Sequence, residues 1–113
     1  MRGFLRDAAG DAALREFSRG RRMTTHYVLH EPDLEFHMRF DDGEVTADLG
    51  PPPAPAEVRL ETKAETLDGM FSGRINAMRA AMTGGLVFSG DTRLAISIQQ
   101  IQDDLKRLYV QAR

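Results

Sequence analysis

Apolar and polar residues alternate without a break from residue 34 to residue 40, and this pattern predicts a half-buried β-strand. Residues 24–30 before it and residues 44–49 after it are also rich in strand-forming side chains. The intervening segments 31–33 and 41–43 contain proline, aspartate and glycine, which favour tight turns. Two consecutive antiparallel hairpins are therefore expected.

The register of the first hairpin decides which side chains share a face of the sheet. Placing His30 opposite Leu34 gathers the even-numbered residues on one face, and His37 then lies on the other. The gathered face is largely apolar and comprises His26, Val28, His30, Leu34, Phe36, Met38 and Phe40. Such a face is suited to line a core or a cavity.

The flanking segments predict a helix and a further strand. Apolar residues recur at helical spacing over residues 3–18, which predicts one amphipathic helix. Residues 50–56 include four prolines, so this segment is expected to be a stiff connector. Residues 58–61 predict the next strand.

Thr62 and Glu65 have the spacing of a capping box, in which each side chain bonds the other residue's backbone amide. This pair predicts a short helix with Thr62 as its N-cap. Its inward-facing side chains would be Leu67, Met70 and Phe71.

Two further helices are expected in the last third of the chain. Asn76 is a good N-cap for a second short helix, in which Met78 and Met82 lie one turn apart. After a strand over residues 86–89, Asp91 is expected to cap a terminal helix. Its apolar stripe comprises Leu94, Ile98, Ile101, Leu105, Leu108 and Ala112.

Composition limits the class of protein. The 113 residues predict one domain, and 42% hydrophobic with 28% charged residues indicates a globular chain rather than a disordered one. Cysteine is absent, which excludes disulfides, thiolate metal sites and a cysteine nucleophile. This composition fits a cytoplasmic location.

Charge is unevenly distributed along the chain. Residues 1–22 hold six arginines, whereas the net charge of the whole chain is -2. A weakly acidic body with a short basic arm argues against a nucleic-acid binder, which usually presents a broad basic face. The cluster of Arg19, Arg21 and Arg22 is typical of a solvated loop, and transient contact with an anionic membrane surface is its functional alternative.

Three histidines within twelve residues, His26, His30 and His37, are the candidates for metal or base chemistry. Strand residues four apart are separated by about 13 Å, and in the assumed register His37 points away from the other two. No metal site is therefore expected. A histidine or aspartate acting as a general base in an apolar pocket remains the enzyme alternative.

The methionines of the two short helices favour a different function. Methionine is flexible and polarisable, so it adapts to irregular space and to varied ligands. Helices that bring Met70, Met78 and Met82 to an apolar sheet face could leave a cavity there. A mostly apolar pocket with few polar groups is what a lipid requires.

The order of these features resembles the lipid-binding domain of the sterol carrier protein type two family, most clearly over residues 34–112. The residues that carry the resemblance are Phe36, Phe40, Asp42-Gly43, Ala56-Glu57-Val58, Leu67, Phe71-Ser72-Gly73, Met82, Gly84-Gly85-Leu86, Phe88 and Gly90-Asp91. The sequence departs from the family pattern at Gly85, where a basic residue is common, and at Glu57, where aspartate is usual.

The resemblance implies an α+β fold, with a mainly antiparallel, twisted, five-stranded sheet covered by helices that enclose an apolar tunnel. It also implies non-catalytic binding of a sterol, fatty acid or fatty acyl-CoA, and possible transfer of that lipid, with no cofactor. The expected lining consists of Phe36, Met38, Met70, Phe71, Met78, Met82, Phe88, Ile98, Ile101 and Leu105. Besides the enzyme alternative, the chain could be an interaction module whose terminal helix pairs two copies or docks to a lipid-metabolising enzyme.

Overall fold

The computed structural model describes residues 1–112 and has α-helices and β-strands in the order expected for an α+β fold. The helices are α1 (Arg2–Gly10), α2 (Ala12–Ser18), α3 (Ala64–Phe71), α4 (Ala77–Met82), α5 (Thr92–Ser97) and α6 (Gln102–Gln111). The strands are β1 (Arg22–His30), β2 (Leu34–Asp41), β3 (Glu44–Leu49), β4 (Val58–Lys63) and β5 (Leu86–Gly90). A 3-10 turn, Ile98–Ile101, separates α5 from α6.

The five strands form one sheet in the order β3-β2-β1-β4-β5. Three neighbouring pairs are antiparallel, as the hairpin prediction requires, but β1 and β4 run parallel, so the sheet is mixed. The parallel pair arises because the proline-containing segment carries the chain from the edge strand β3 back past β2, to the free side of β1. Among residues 1–112, no helix is long and apolar enough to cross a membrane.

The predicted register of the first hairpin is wrong by one residue. Leu29, not His30, lies opposite Leu34, and Tyr27 lies opposite Phe36. Because successive strand residues point to opposite faces, this slip turns the whole of β1 over. The helix-covered face of β1 therefore carries Met23, Thr25, Tyr27 and Leu29, while the histidines lie on the uncovered face.

The N-terminal helix is divided rather than continuous. Asp11 has extended backbone angles and its carboxylate accepts a hydrogen bond from the Leu14 amide at 3.2 Å, so it caps α2. A residue that caps a new helix cannot also continue the previous one, and α1 ends at Gly10.

The capping box predicted at Thr62 does not form. Thr62 is still part of β4, and its hydroxyl donates to the Gly85 carbonyl at 2.5 Å. The α3 helix begins one residue later, with Lys63 as its N-cap and no side-chain cap. Thr62 thus ties β4 to the start of β5 instead of capping a helix.

The two remaining caps form as predicted, but the terminal helix is interrupted. Asn76 accepts from the Arg79 amide at 3.1 Å and Asp91 accepts from the Leu94 amide at 3.1 Å. The 3-10 turn then breaks the terminal helix into α5 and α6. The apolar stripe continues through the turn, and Ile101, Leu105 and Leu108 are buried.

The helices cover one face of the sheet in two parts, which we call the closed half and the open half. In the closed half, α1 and α2 pack on β2 and β3. In the open half, α4 packs on β5 and α5 on β4. The buried side chains of the closed half are Phe4, Leu5, Ala8, Leu14 and Phe17 from the helices, with Phe36, Met38, Phe40 and Val45 from the strands.

Candidate functional site

An apolar pocket of about 260 Å³ lies between the sheet and the helices of the open half. Its sheet wall is made by side chains of β1, β4 and β5, namely Tyr27, Val58, Leu60, Leu86 and Phe88. Its helical wall is made by Met70, Phe71, Ala77, Met78, Ala81, Thr92, Ala95, Ile96, Ile98, Gln99, Gln102 and Leu105. The pocket is therefore bounded by four helices and three strands.

The chemistry of this wall is apolar and uncharged. Its polar side chains are Thr92, Gln99 and Gln102, together with the phenol of Tyr27. Among the described residues that line it, none carries a formal charge. Such a pocket binds an apolar guest by removing its surface from water, and it offers hydrogen bonds without a fixed ion.

Tyr27 forms the floor of the pocket. Its ring stacks on Phe36 at a centroid distance of 4.5 Å and meets the edge of Phe71 at 5.9 Å. Burial raises the pKa of its hydroxyl to about 12, and a hydrogen bond with the Thr25 side chain opposes this only in part. The phenol therefore stays neutral at every physiological pH.

The segment between α3 and α4 packs closely on Gly69 of α3, whose carbonyl accepts from the Arg74 and Ile75 amides. A Cβ atom at this residue would overlap Cδ1 of Ile75, so no larger side chain fits without a shift of that residue. The absence of a side chain lets the segment after α3 fold back on that helix. This return leads directly to Asn76, where α4 is capped beside the pocket.

The helix α4 presents small residues to the pocket and large residues to solvent. Ala80 is buried, and Ala77 and Ala81 line the pocket. Met78 also lines the pocket but is largely exposed, so it forms part of the mouth. Met82 is exposed and lies outside the lining.

The structure brings together six of the ten residues expected to line a lipid site: Met70, Phe71, Met78, Phe88, Ile98 and Leu105. Phe36, Met38 and Ile101 are buried in the core behind the pocket wall, and Met82 lies on the surface. Sequence reasoning missed Tyr27 because of the register error. It placed Ala77 and Ala81 behind the methionines rather than in the lining, and it missed Ala95; all three line the pocket.

The histidines lie on the uncovered face of the sheet, outside the pocket lining. His26 lies opposite His37 and bonds the Glu35 carboxylate at 3.0 Å, while His37 donates from Nδ1 to the Gly50 carbonyl at 2.9 Å. His30 bonds Glu61 at 2.6 Å. Within residues 1–112, no histidine and carboxylate groups converge to hold a metal ion.

The arginines expected to contact membranes are already engaged with neighbouring groups. Arg19 pairs with Glu16 at 3.0 Å and Arg22 with Asp41 at 3.5 Å. Arg21 donates to the Phe17 carbonyl at 2.7 Å and lies over the Phe17 ring. These contacts partly compensate the charge of the cluster, and its contact with an anionic surface stays a prediction.

Comparison with known protein families identifies the fold. The model of the SCP-2 sterol transfer family matches residues 4–103, which include both halves of the helical layer and the whole sheet. The chain belongs to this family. Among curated proteins, none matches the sequence significantly.

Solved structures give the same fold at low sequence identity. The apo form of sterol carrier protein 2 from Yarrowia lipolytica has a TM-score of 0.69 and 21% identity, covering 91% of this chain and 87% of that one. Palmitated SCP2L2 from Aedes aegypti has a TM-score of 0.65 and 14% identity, covering 88% and 86%. These SCP-2 proteins are similar to this chain in length as well as in fold.

A larger enzyme also contains this fold. The inverting sec-alkylsulfatase Pisa1 from Pseudomonas sp. has a TM-score of 0.64 and 18% identity over 79% of this chain. The chain spans only 14% of the length of that enzyme, so the likeness is to one part of it.

Proposed function

We propose that this SCP-2 protein binds a single-chain lipid, without catalysis, in the apolar pocket of the open half. The observation that carries the proposal is an uncharged pocket in the fold of a lipid-binding family. Each methylene group moved from water into such a pocket contributes about 0.8 kcal/mol. A modest alkyl chain therefore suffices for useful affinity without a charged anchor.

The volume favours a flexible chain over a rigid ring system. Ligand pockets commonly measure roughly 300–1,000 Å³, and an apolar cavity of about 150 Å³ already holds benzene. A pocket of about 260 Å³ holds part of an acyl chain, while the rest extends past Met78 and Ile96. The palmitated relative from Aedes aegypti supports a fatty acyl ligand.

The expected tunnel would form from this pocket if the helices of the open half move outward around a longer guest. In that case Phe36, Met38 and Ile101 would support the lining from the core behind it. Met70, Phe71 and Leu105, which line the pocket, would contact the guest directly.

The decisive experiment blocks the pocket with a larger side chain. Ala95→Phe places a ring in the lining, and Ala12→Phe adds the same ring at an exposed position on α2. We expect Ala95→Phe to weaken binding of a fluorescent fatty-acid analogue by about tenfold or more, which is about 1.4 kcal/mol. Ala12→Phe should bind as the parent does, and equal binding by both variants would refute the proposed site.

Native mass spectrometry of the purified protein provides an independent test. A pocket of this composition should retain lipid from the expression host, seen as an adduct whose mass identifies the chain. Loss of that adduct in Ala95→Phe, with the Ala12→Phe adduct unchanged, would place the lipid in the pocket. An adduct retained by both variants would place it elsewhere.

A further inference from the structure

Three large apolar side chains are exposed around the mouth of the pocket. Met78 is 62% exposed, Met82 82% and Ile96 57%, and we call these residues the mouth patch. Isolated exposed apolar residues are ordinary, but a contiguous group beside a pocket marks an interaction surface.

The geometry makes the mouth patch continuous with the pocket. Met78 and Ile96 both line the pocket, so they lie on either side of its mouth. Met82 follows Met78 by four residues in α4, which places it on the same face one turn further out. The apolar surface therefore runs from the pocket interior to the outside of the protein.

Two arginines share the helix faces of the mouth patch. Arg79 precedes Met82 by three residues in α4, and Arg93 precedes Ile96 by three residues in α5. Both are exposed, and among the ion pairs of the described residues neither takes part in one.

The acidic groups that neutralise arginines elsewhere are largely missing beside the mouth patch. Arg59 pairs with Glu61, Arg74 with Asp68 and Arg107 with Asp11. Glutamate does not occur after residue 65, and the carboxylate of Asp91 is engaged at the N-cap of α5. Helices α4 and α5 with their caps carry Arg79 and Arg93 against the single carboxylate of Asp91, so they combine exposed apolar side chains with a net charge of +1, although the whole chain has a net charge of -2.

We infer that the mouth patch docks the protein onto an anionic lipid bilayer, with the mouth of the pocket facing the membrane. Met78, Met82 and Ile96 enter the boundary between headgroups and acyl chains, and Arg79 and Arg93 contact the anionic headgroups. A lipid chain then passes between bilayer and pocket without crossing water. This inference rests on the proposed function, because it assigns the source of the ligand to the membrane surface.

Vesicle binding of the full chain tests the docking surface. We expect flotation with phosphatidylcholine vesicles that contain one third phosphatidylserine, and weaker flotation with phosphatidylcholine alone. Arg79→Gln and Arg93→Gln should each reduce the partition coefficient on the order of fivefold, the value expected for one arginine at an anionic surface. Arg2→Gln, an exposed arginine at the start of α1, is the matched control and should leave the partition coefficient unchanged.

A second pair of variants tests the apolar component. Met82→Glu should reduce vesicle binding by more than tenfold, because it opposes both insertion and the anionic surface. Val110→Glu, at an exposed apolar residue of α6, should have little effect.

Three outcomes would overturn the inference. The first is absence of binding to the anionic vesicles. The second is loss of binding in Arg2→Gln, or in a variant of Arg19, Arg21 and Arg22, with Arg79→Gln and Arg93→Gln unaffected. The third is a dimer in light scattering that Met82→Glu dissociates, because the mouth patch would then be covered by a second copy.

Titration with the fluorescent fatty-acid analogue in vesicle-free solution separates this inference from the proposed function. Arg79→Gln and Arg93→Gln should retain the affinity of the parent, since neither residue lines the pocket. Normal probe binding without vesicle binding would overturn the docking alone, whereas vesicle binding without probe binding would overturn the proposed function alone.

Discussion

The helices that cover β2 and β3 pack more tightly than the helices that cover β4 and β5. In the closed half, large side chains interlock, as in the edge-to-face contact of Phe17 with Phe40 at 5.3 Å. In the open half, α4 buries only Ala80 and α5 has no fully buried residue. The same sheet thus supports a solid core on one side and a pocket on the other.

This contrast shows that the space for a guest comes from small residues rather than from a special motif. Ala77, Ala81 and Ala95 line the pocket of the open half, whereas the buried side chains of α1 and α2 include the larger Phe4, Leu14 and Phe17. Interiors of proteins are close-packed, so a layer of alanines held apart by a rigid frame leaves a void.

The largest expected effect concerns the stability of the closed half. Phe40→Ala should lower the free energy of unfolding by about 3–5 kcal/mol, because it leaves a cavity beside Phe17. Met82→Ala in the open half should change it by less than about 0.5 kcal/mol, since the side chain is exposed. Urea denaturation of both variants measures the difference, and equal losses would show that the two halves are packed alike.

The next prediction concerns the close contact between β4 and β5, the two strands beneath the helices of the open half. Gly90 at the end of β5 has a φ angle of 112°, and a Cβ atom there would overlap the Glu57 carbonyl oxygen. Gly90→Ala should therefore cost about 3 kcal/mol in the free energy of unfolding.

Gly84 provides the matched control for this prediction. Its φ angle is 82°, but nothing lies within 4 Å of the position that a Cβ atom would take. Gly84→Ala should cost only the backbone penalty of about 1–2 kcal/mol. Similar losses in thermal unfolding of both variants would contradict a tightly constrained β4–β5 frame.

Ligand binding should fill the pocket, so that the packing of the open half becomes more like that of the closed half. At a free fatty-acid concentration of about 100 times Kd, the free energy of unfolding should rise by about 2.7 kcal/mol. For a domain of this size the melting temperature should then rise by roughly 10 °C. Calorimetry measures this shift, and no shift across a panel of single-chain lipids would contradict binding.

Hydrogen exchange locates the same effect within the molecule. Amides of α4 and α5 should gain protection when ligand binds, whereas amides of α1 and α2 should change little. Protection that spreads evenly over both halves would show that the guest does not bind in the open half.

The smallest expected effect concerns the pair of His30 and Glu61, on the face of the sheet that the helices do not cover. The hydrogen bond to Glu61, and secondarily that to Asp33, raises the pKa of His30 above its usual 6.5. The hydrogen bond from His30, and secondarily that from Arg59, lowers the pKa of Glu61 below its usual 4.5. The pair of His30 and Glu61 therefore stabilises the fold fully at pH values between 4.5, the usual pKa of Glu61, and 6.5, the usual pKa of His30.

The sign of the pH dependence follows from these shifts. The contribution of His30 is complete below its unfolded pKa and is lost as the pH rises through its folded pKa. The coupling between His30→Gln and Glu61→Gln in a double-mutant cycle should thus be larger at about pH 6 than at about pH 8. A coupling that grows with pH would contradict this assignment.

The sequence predicted most of the secondary structure, because period-two and helical patterns report which face of an element is buried. The strand over residues 34–40 is a case in which one face is wholly apolar. The predicted register of β1 was wrong because apolar residues of this strand occur on both faces: Val28 lies with the histidines on the face away from the helices and is nevertheless buried. A two-sided strand does not fix its own register.

The candidate site was less predictable than the fold. Met70, Phe71 and Phe88 were found because large apolar residues at helical or strand spacing point inward. The alanines that line the pocket give no pattern of their own, and the exposure of Met82 depends on how α4 is oriented on the sheet. Such features are set by packing between distant segments, which a periodicity along the chain does not contain.

The 3-10 turn at Ile98–Ile101 divides the last part of the chain into two segments that differ in burial. Behind the turn, Leu105 and Leu108 anchor α6 in the core, so changes there would threaten the fold itself. Ahead of it, α5 borders the pocket and buries no residue completely. Mutations that reshape the pocket can therefore accumulate in α5 one at a time, while α6 stays anchored in the core.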